Sequence, residues 1–193
     1  MSDTQAKTAL LVMDMQEGIV AAYAQNSPIL TTTRAAIDAA HAASIPVIYV
    51  VVGFRPGYPE VSPRNKTFSG IVARVQVSGA VPSMEVHHAI APQPTDIMVT
   101  KHRVSGFSGS DLEMILRSQN ITHLVLSGIA TSGVVLSTLR EAADKDYQLT
   151  VLADCCLDND EEVHRVLLTK VFPRQADVVQ SAEWIAQIDS PAL

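Results

Sequence analysis

Residues 123–145 read HLVLSGIATSGVVLSTLREAADK, and this stretch is the clearest single indication of the fold. Its first part, residues 123–127, is an apolar run that predicts a buried strand. Its last part, residues 132–145, predicts a helix. The two are joined by a short turn that contains Gly128 and Gly133. A strand that passes through such a turn into a helix is the repeating unit of an α/β sheet with parallel strands.

The rest of the chain repeats this alternation of apolar or β-branched runs with helical stretches. Parallel strands joined by helices need right-handed crossovers, so the sequence predicts a doubly wound, mainly parallel six-stranded sheet with helices on both faces. The predicted strands are residues 8–13, 47–52, 97–100, 123–127, 148–153 and 177–180. The predicted helices are residues 31–43, about 111–117, 132–145, 158–171 and 181–188.

The stretch from Gly53 to Pro94 is the exception to this regularity. Proline and glycine recur throughout it, so we predict mostly loops and short pieces there. No linker, repeat or low-complexity segment divides the chain. We therefore predict that residues 1–193 form a single domain.

Composition narrows the classes of function. The chain has 193 residues, of which 47% are apolar and 18% charged, as is typical of a globular protein. A net charge of −6 without a basic cluster argues against nucleic acid or an anionic membrane as a partner. No signal peptide and no apolar stretch of about 20 residues is found. A bridge between the adjacent Cys155 and Cys156 would be strained, so we predict reduced thiols and a cytoplasmic location.

Three candidate functional groups each follow a predicted strand. Asp14 follows the first strand, Lys101 follows the third, and the 128–134 turn follows the fourth. Ligands of open α/β sheets bind beyond the carboxyl ends of the strands, so we expect these groups to meet in one crevice. Backbone N–H groups at the turn can hold a developing oxyanion. Lys101 would favour the ionised form of Asp14, whereas burial would favour the neutral form. Asp14 could therefore act as an acid or as a base.

Metal and nucleotide signals are weak. The sequence has no Cys-x-x-Cys, no His-Glu-x-x-His, no P-loop and no Gly-x-Gly-x-x-Gly motif. The adjacent His87 and His88 would point to different sides in an extended or a helical segment, so joint chelation is not expected. We therefore predict no metal and no cofactor.

Several motifs together resemble the isochorismatase-like superfamily of cysteine hydrolases, which includes nicotinamidases, carbamoylsarcosine amidases and isochorismatases. The resemblance covers nearly the whole chain. It implies the strand order 3-2-1-4-5-6, a small-molecule substrate and a dimer or tetramer. The motifs are LLVMDMQ at residues 10–16, Lys101 with Ser105, Gly106 and Phe107, SGIATSGVVLST at residues 127–138, and Asp154.

The resemblance also implies roles for individual residues. The family site consists of Asp, Lys and a nucleophilic Cys, which match Asp14, Lys101 and Val134, and valine cannot form a thioester. A non-proline cis peptide bond is implied at the start of the turn, between residues 129 and 130. No histidine occurs in residues 53–60, where nicotinamidases bind a metal, so no metal is expected. The candidate substrate-binding residues are Ile129, Ala130, Thr131 and Gly133 of the turn, together with Phe54 and Arg55 of the 53–60 segment, where surface solvation is the alternative role of Arg55.

Valine at position 134 divides the functional hypotheses. The first is a cysteine-independent hydrolase of a small anionic or carbonyl-bearing metabolite, in which Asp14 protonates the substrate as isochorismatases do and Lys101 positions it. A variant of it uses Asp14 as the general base for attack by water. The other class is a catalytically inactive protein that binds a small molecule or acts through its assembly.

Overall fold

The computed structural model describes residues 7–24, 27–79 and 83–189. Within them lie six strands: β1 (Lys7–Met13), β2 (Val47–Val52), β3 (Ile97–Lys101), β4 (Ile121–Ile129), β5 (Gln148–Leu157) and β6 (Asp177–Val179). They form one sheet in the order β3-β2-β1-β4-β5-β6, and neighbouring strands are parallel. The predicted fold and strand order are confirmed.

Helices connect the strands, and none in the described part of the chain is long and apolar enough to cross a membrane. They are α1 (Glu17–Tyr23), α2 (Ile29–Ala42), α3 (Lys66–Ser78), α4 (Leu112–Ser118), α5 (Leu136–Asp144), α6 (Glu161–Val166) and α7 (Ser181–Asp189). Short 3-10 turns lie at His88–Ile90 and Phe172–Arg174, and wider turns at Thr131–Val135 and Leu167–Val171.

Both faces of the sheet are buried. Along β1, Leu11 and Met13 belong to one apolar core and Leu10 and Val12 to the other, because successive strand side chains point to opposite faces. The first core includes residues of α4 and α5, and the second includes residues of α1, α2 and α7. Helices therefore cover the sheet on both sides, as the near-continuous apolar strands predict.

The stretch from Gly53 to Pro94 is more regular than expected. The 13-residue helix α3 occupies its centre, so the prediction of mostly loops was wrong there. The Asn65 side chain accepts a hydrogen bond from the Phe68 N–H at the start of α3, and Gly79, with φ +70°, ends it. The glycine and proline residues that suggested a broken segment mostly flank this helix. The short helix α1 was also not predicted.

Gly128 lies at a close backbone contact between β4 and β1. It pairs with Met13 and has φ +152°, and a Cβ atom there would lie 2.5 Å from the Met13 carbonyl oxygen. The Met13 backbone cannot move aside as a flexible side chain can. Both the positive φ of Gly128 and its contact with Met13 therefore require glycine. This contact holds the end of β4 beside the end of β1.

Replacing Gly128 by alanine should lower the free energy of unfolding by about 2 kcal/mol or more, because the new methyl group forces these backbones apart. Gly70→Ala is the matched control. A Cβ at Gly70 meets no atom within 4 Å, and alanine in a helix interior should raise stability by about 0.5–1 kcal/mol. Urea unfolding of both variants measures the difference. Wild-type stability of Gly128→Ala would contradict the close approach.

Candidate active site

Asp14 and Lys101 come together at the carboxyl edge of the sheet. Asp14 follows β1 directly, and Lys101 is the last residue of β3. The Lys101 Nζ lies 2.9 Å from the Asp14 Oδ2, and their side chains are only 2% and 10% exposed. Because β2 lies between β1 and β3, the ion pair spans the end of β2. The predicted convergence of the two residues is confirmed.

Burial is the largest influence on the pKa of the Asp14 carboxyl. It raises the pKa of the Asp14 carboxyl to about 6, although the Lys101 ammonium and the Val52 backbone N–H lower it. The Asp14 Oδ1 has no hydrogen-bond partner in the described part of the structure. An ionised carboxylate with one unsatisfied oxygen is costly in a buried site, so the loss of solvation outweighs the single ion pair. Lys101 also donates a hydrogen bond to the Arg103 carbonyl oxygen, at 2.9 Å.

The backbone around Asp14 is held by the side chain of Gln16. The Gln16 Oε1 accepts a hydrogen bond from the Val52 N–H at 2.8 Å, and its Nε2 donates to the carbonyl oxygens of Val52 and Ser83. Asp14 itself has φ +55°, which residues other than glycine adopt infrequently. Such backbone positions cluster at functional sites, which supports the assignment of Asp14 to one.

The turn after β4 contains the expected cis peptide bond between Ile129 and Ala130. Val134 is only 2% exposed and packs in the first apolar core, together with its neighbour Val135. Thr131 is also buried, and its Oγ1 lies 2.8 Å from the Nδ1 of His164. The position that the resemblance matches to the nucleophile therefore holds a packed apolar side chain.

The two cysteines are poor candidates for a nucleophile. Cys155 and Cys156 are free and buried within β5, as predicted. Burial raises the pKa of the Cys155 thiol to about 12 and also raises the pKa of the Cys156 thiol well above its usual range. Because the thiolate is the nucleophilic form, both side chains are inert near neutral pH.

A cavity of about 450 Å³ opens beside the ends of β1 and β2. Its walls are largely apolar and include Phe54, Tyr58 and Met84, with Arg74 of α3 as a cationic group. Neither Asp14 nor Lys101 lines it. Val52 does, and because the Val52 N–H also interacts with the Asp14 carboxyl, the ion pair lies behind this wall.

The predicted substrate-binding residues lie in different places. Phe54 lines the cavity, whereas Arg55 is 69% exposed, forms an ion pair with Glu60 and does not line it. The turn residues Ile129, Ala130, Thr131 and Gly133 lie on the β4 side and do not line it either. Arg74 was missed because α3 was not predicted, although apolar residues at helical spacing around it were a usable signal.

Comparison with known proteins agrees with the observed fold. Residues 8–183 match the isochorismatase domain. The chain belongs to the isochorismatase family.

This isochorismatase-family chain is 33% identical over 171 residues to the ureidoacrylate amidohydrolase RutB of Stutzerimonas stutzeri. The match covers 77% of this chain and 69% of RutB. It is 31% identical over 185 residues to the isochorismatase family protein YwoC of Bacillus subtilis, covering 94% of each. A solved isochorismatase family protein of Burkholderia thailandensis superimposes with a TM-score of 0.82 at 29% identity, covering 95% and 96% of the two chains.

Replacing Lys101 by methionine should make stability strongly dependent on pH. The variant leaves Asp14 buried without a partner, so at pH 8 we expect a loss of about 3–5 kcal/mol. The folded-state pKa of Asp14 lies above its unfolded value of 3.8 and rises further without Lys101. The contribution of the neutral Asp14 carboxyl to the free energy of unfolding is therefore complete below about pH 4. It is lost as the pH rises through the folded-state pKa of Asp14.

Urea unfolding of the wild type and Lys101→Met at pH 5 and pH 8 measures this effect. The deficit of the variant should be smaller at pH 5, where Asp14 is protonated. Lys170→Met, at an exposed position, is the control and should stay within about 0.5 kcal/mol of the wild type at both values. An equal deficit at pH 5 and pH 8 would show that Lys101 acts through packing rather than charge.

Proposed function

We propose that this isochorismatase-family chain hydrolyses a small anionic or carbonyl-bearing metabolite without a thioester intermediate, and that Asp14 is its general acid and base. The observation that carries the proposal is the buried ion pair of Asp14 with Lys101, in which the pKa of Asp14 is raised to about 6. Close to neutral pH such a carboxyl populates both protonation states. A group that can both give and take a proton is what general acid–base catalysis requires.

The proposed hydrolysis needs two proton transfers and one molecule of water. The neutral Asp14 carboxyl protonates the substrate, which makes the reacting carbon more electron-poor. Water then adds to that carbon, and its proton passes to the Asp14 carboxylate as the leaving group departs. Lys101 stabilises the carboxylate between these two transfers. The backbone N–H groups of Ala130 and Val134 would hold an oxyanion, while the side chain of Val134 contributes no nucleophile.

For a substrate that extends from the cavity past Val52 to Asp14, the cavity walls favour an apolar body and an anionic group. Phe54, Tyr58 and Met84 offer apolar contacts, and Arg74 forms no ion pair within the described residues. A guanidinium group without a carboxylate partner can form a charge-assisted hydrogen bond with a substrate carboxylate. The relatives named ureidoacrylate amidohydrolases indicate ureido acids as the first compounds to test.

Replacing Asp14 by asparagine should reduce kcat/KM about 10²–10⁴-fold, because the amide can neither give nor take the proton. Ureidoacrylate, N-carbamoyl amino acids, small amides and isochorismate form the substrate panel. The wild-type profile should contain an inflection near pH 6: activity falls above it if Asp14 must be protonated and rises above it if Asp14 must be ionised. Asp38→Asn, at an exposed ion pair with Arg34, is the control. Undiminished turnover by Asp14→Asn would refute the proposal.

Replacing Arg74 by glutamine should weaken the binding of a carboxylate ligand at least tenfold, because a charge-assisted hydrogen bond contributes about 1.5–3 kcal/mol. Benzoate and benzamide form a matched pair of probes that differ in charge but not in shape. NMR titration should show weaker benzoate binding and unchanged benzamide binding. Arg34→Gln is the control for loss of a positive charge elsewhere. Equal loss of both ligands would assign Arg74 to the packing of the cavity.

A second candidate function is a catalytically inactive protein that binds a small molecule. It is favoured by one observation: Val134, Asp14 and Lys101 are almost completely buried, and none of them lines the cavity. This function predicts ligand binding without turnover of any compound in the panel, and binding unaffected by Asp14→Asn.

The predicted dimer or tetramer stays a prediction that light scattering on the purified protein would test.

A further inference from the structure

A second cluster of titratable side chains lies outside the proposed active site. Glu17 is the first residue of α1, and His87 and His88 lie at the start of the His88–Ile90 turn. The His88 Nδ1 is 2.9 Å from the Glu17 Oε1, and the His87 Nε2 is 3.7 Å from the Glu17 Oε2. The imidazole rings stack with their centroids 4.3 Å apart. The expectation that neighbouring histidines diverge was therefore wrong here, because the backbone between them is neither a regular strand nor a regular helix.

The backbone holds these three residues together. Gln16 and Val86 form an antiparallel bridge. On either side of it, the His87 N–H donates to the Met15 carbonyl oxygen at 2.9 Å, and the Glu17 N–H donates to the Glu85 carbonyl oxygen at 3.0 Å. The His88 N–H also donates to the Glu17 carboxylate, at 3.0 Å. The cluster is thus fixed by main-chain contacts between two distant segments rather than by side-chain conformation alone.

We propose that Glu17, His87 and His88 form a binding site for one Zn²⁺ ion. One ligand atom from each residue can be chosen so that all three lie within 4.8 Å of one another. Tetrahedral coordination with bonds of about 2.0–2.1 Å needs ligand atoms about 3.4 Å apart, so small side-chain rotations suffice. Two imidazoles with one carboxylate suit Zn²⁺, whereas Mg²⁺ and Ca²⁺ prefer oxygen ligands throughout.

Existing hydrogen bonds set the strength of this site. The Ala89 N–H donates to the His87 Nδ1 at 3.2 Å, so the neutral His87 ring carries its proton on Nε2, the atom that would bind the ion. Binding must move that proton and also replace the contact between His88 and Glu17. With three protein ligands and His88 82% exposed, water completes the coordination shell. We expect a dissociation constant on the order of micromolar, weaker than that of closed four-ligand structural sites.

The ion would link the start of α1 to the segment that carries Ser83 and Met84, two residues of the cavity wall. Zinc binding should therefore stabilise this wall, whether or not the chain is an enzyme. A ligand that binds only the folded state raises its stability by mass action. At a free Zn²⁺ concentration of about 100 times the dissociation constant, we expect Tm to rise by about 5–10 °C.

Isothermal titration of the full chain with Zn²⁺ tests the proposal. The wild type should bind one ion per chain, while Mg²⁺ at the same concentrations gives no heat of binding. His88→Gln and Glu17→Gln should each weaken Zn²⁺ binding at least tenfold and abolish the rise in Tm. Glu162→Gln removes an exposed carboxylate elsewhere and should bind like the wild type. Because His88 and Glu17 are on the surface, Tm without metal reports whether the variants are folded.

Two results would overturn the proposal. If the wild type shows no binding below about 1 mM Zn²⁺, the cluster is only a hydrogen-bonded contact between segments. If His88→Gln loses binding but Glu17→Gln does not, the histidines act alone and the three-residue site is wrong. Neither result bears on the hydrolase proposal, which depends on Asp14.

Discussion

The ion pair between Asp14 and Lys101 is the interaction on which the proposed site depends. Adjacent strands of a sheet are about 4.8 Å apart, so β1 and β3, with β2 between them, are about 10 Å apart. Only a long, flexible side chain can cross that distance, and lysine has one. The Gly53 N–H donates to the Lys101 carbonyl oxygen at 3.1 Å and fixes the backbone from which the crossing starts. Each charge is tolerated in the interior because the other is beside it.

Burial raises the pKa of both kinds of acid near the sheet, but the effect on their reactivity is opposite. It raises the pKa of Asp14 to about 6, where proton exchange with a substrate is easiest near neutral pH. It also raises the pKa values of Cys155 and Cys156 and so removes their thiolates. Position 134 holds a valine, so neither this side chain nor the two cysteines offers a thiolate, whereas the carboxylic acid of Asp14 is present. A site of this composition favours proton transfer over covalent catalysis.

Much of the fold follows from local sequence patterns, and so does the central pair of the site. Apolar runs with intervening helices predict the parallel sheet, and the rule for strand ends predicts that Asp14 meets Lys101. Helix α3 was not predicted because the glycine and proline residues of this stretch suggested loops. The Asn65 cap and the apolar residues at helical spacing after it favour a helix. The cluster at His87 and His88 could not be predicted, because it depends on a bridge between segments 70 residues apart that no periodicity signals.

The carboxamide of Gln16 has a chemical consequence for the ageing of the protein. Its Nε2 faces two carbonyl oxygens, those of Val52 and Ser83, while its Oε1 faces an amide hydrogen. Deamidation to glutamate would turn the Nε2 position into an oxygen and set a carboxylate against two acceptors. A single spontaneous hydrolysis at this side chain would then release the strand ends that hold Asp14 and place a negative charge on the cavity wall, which Gln16 also lines.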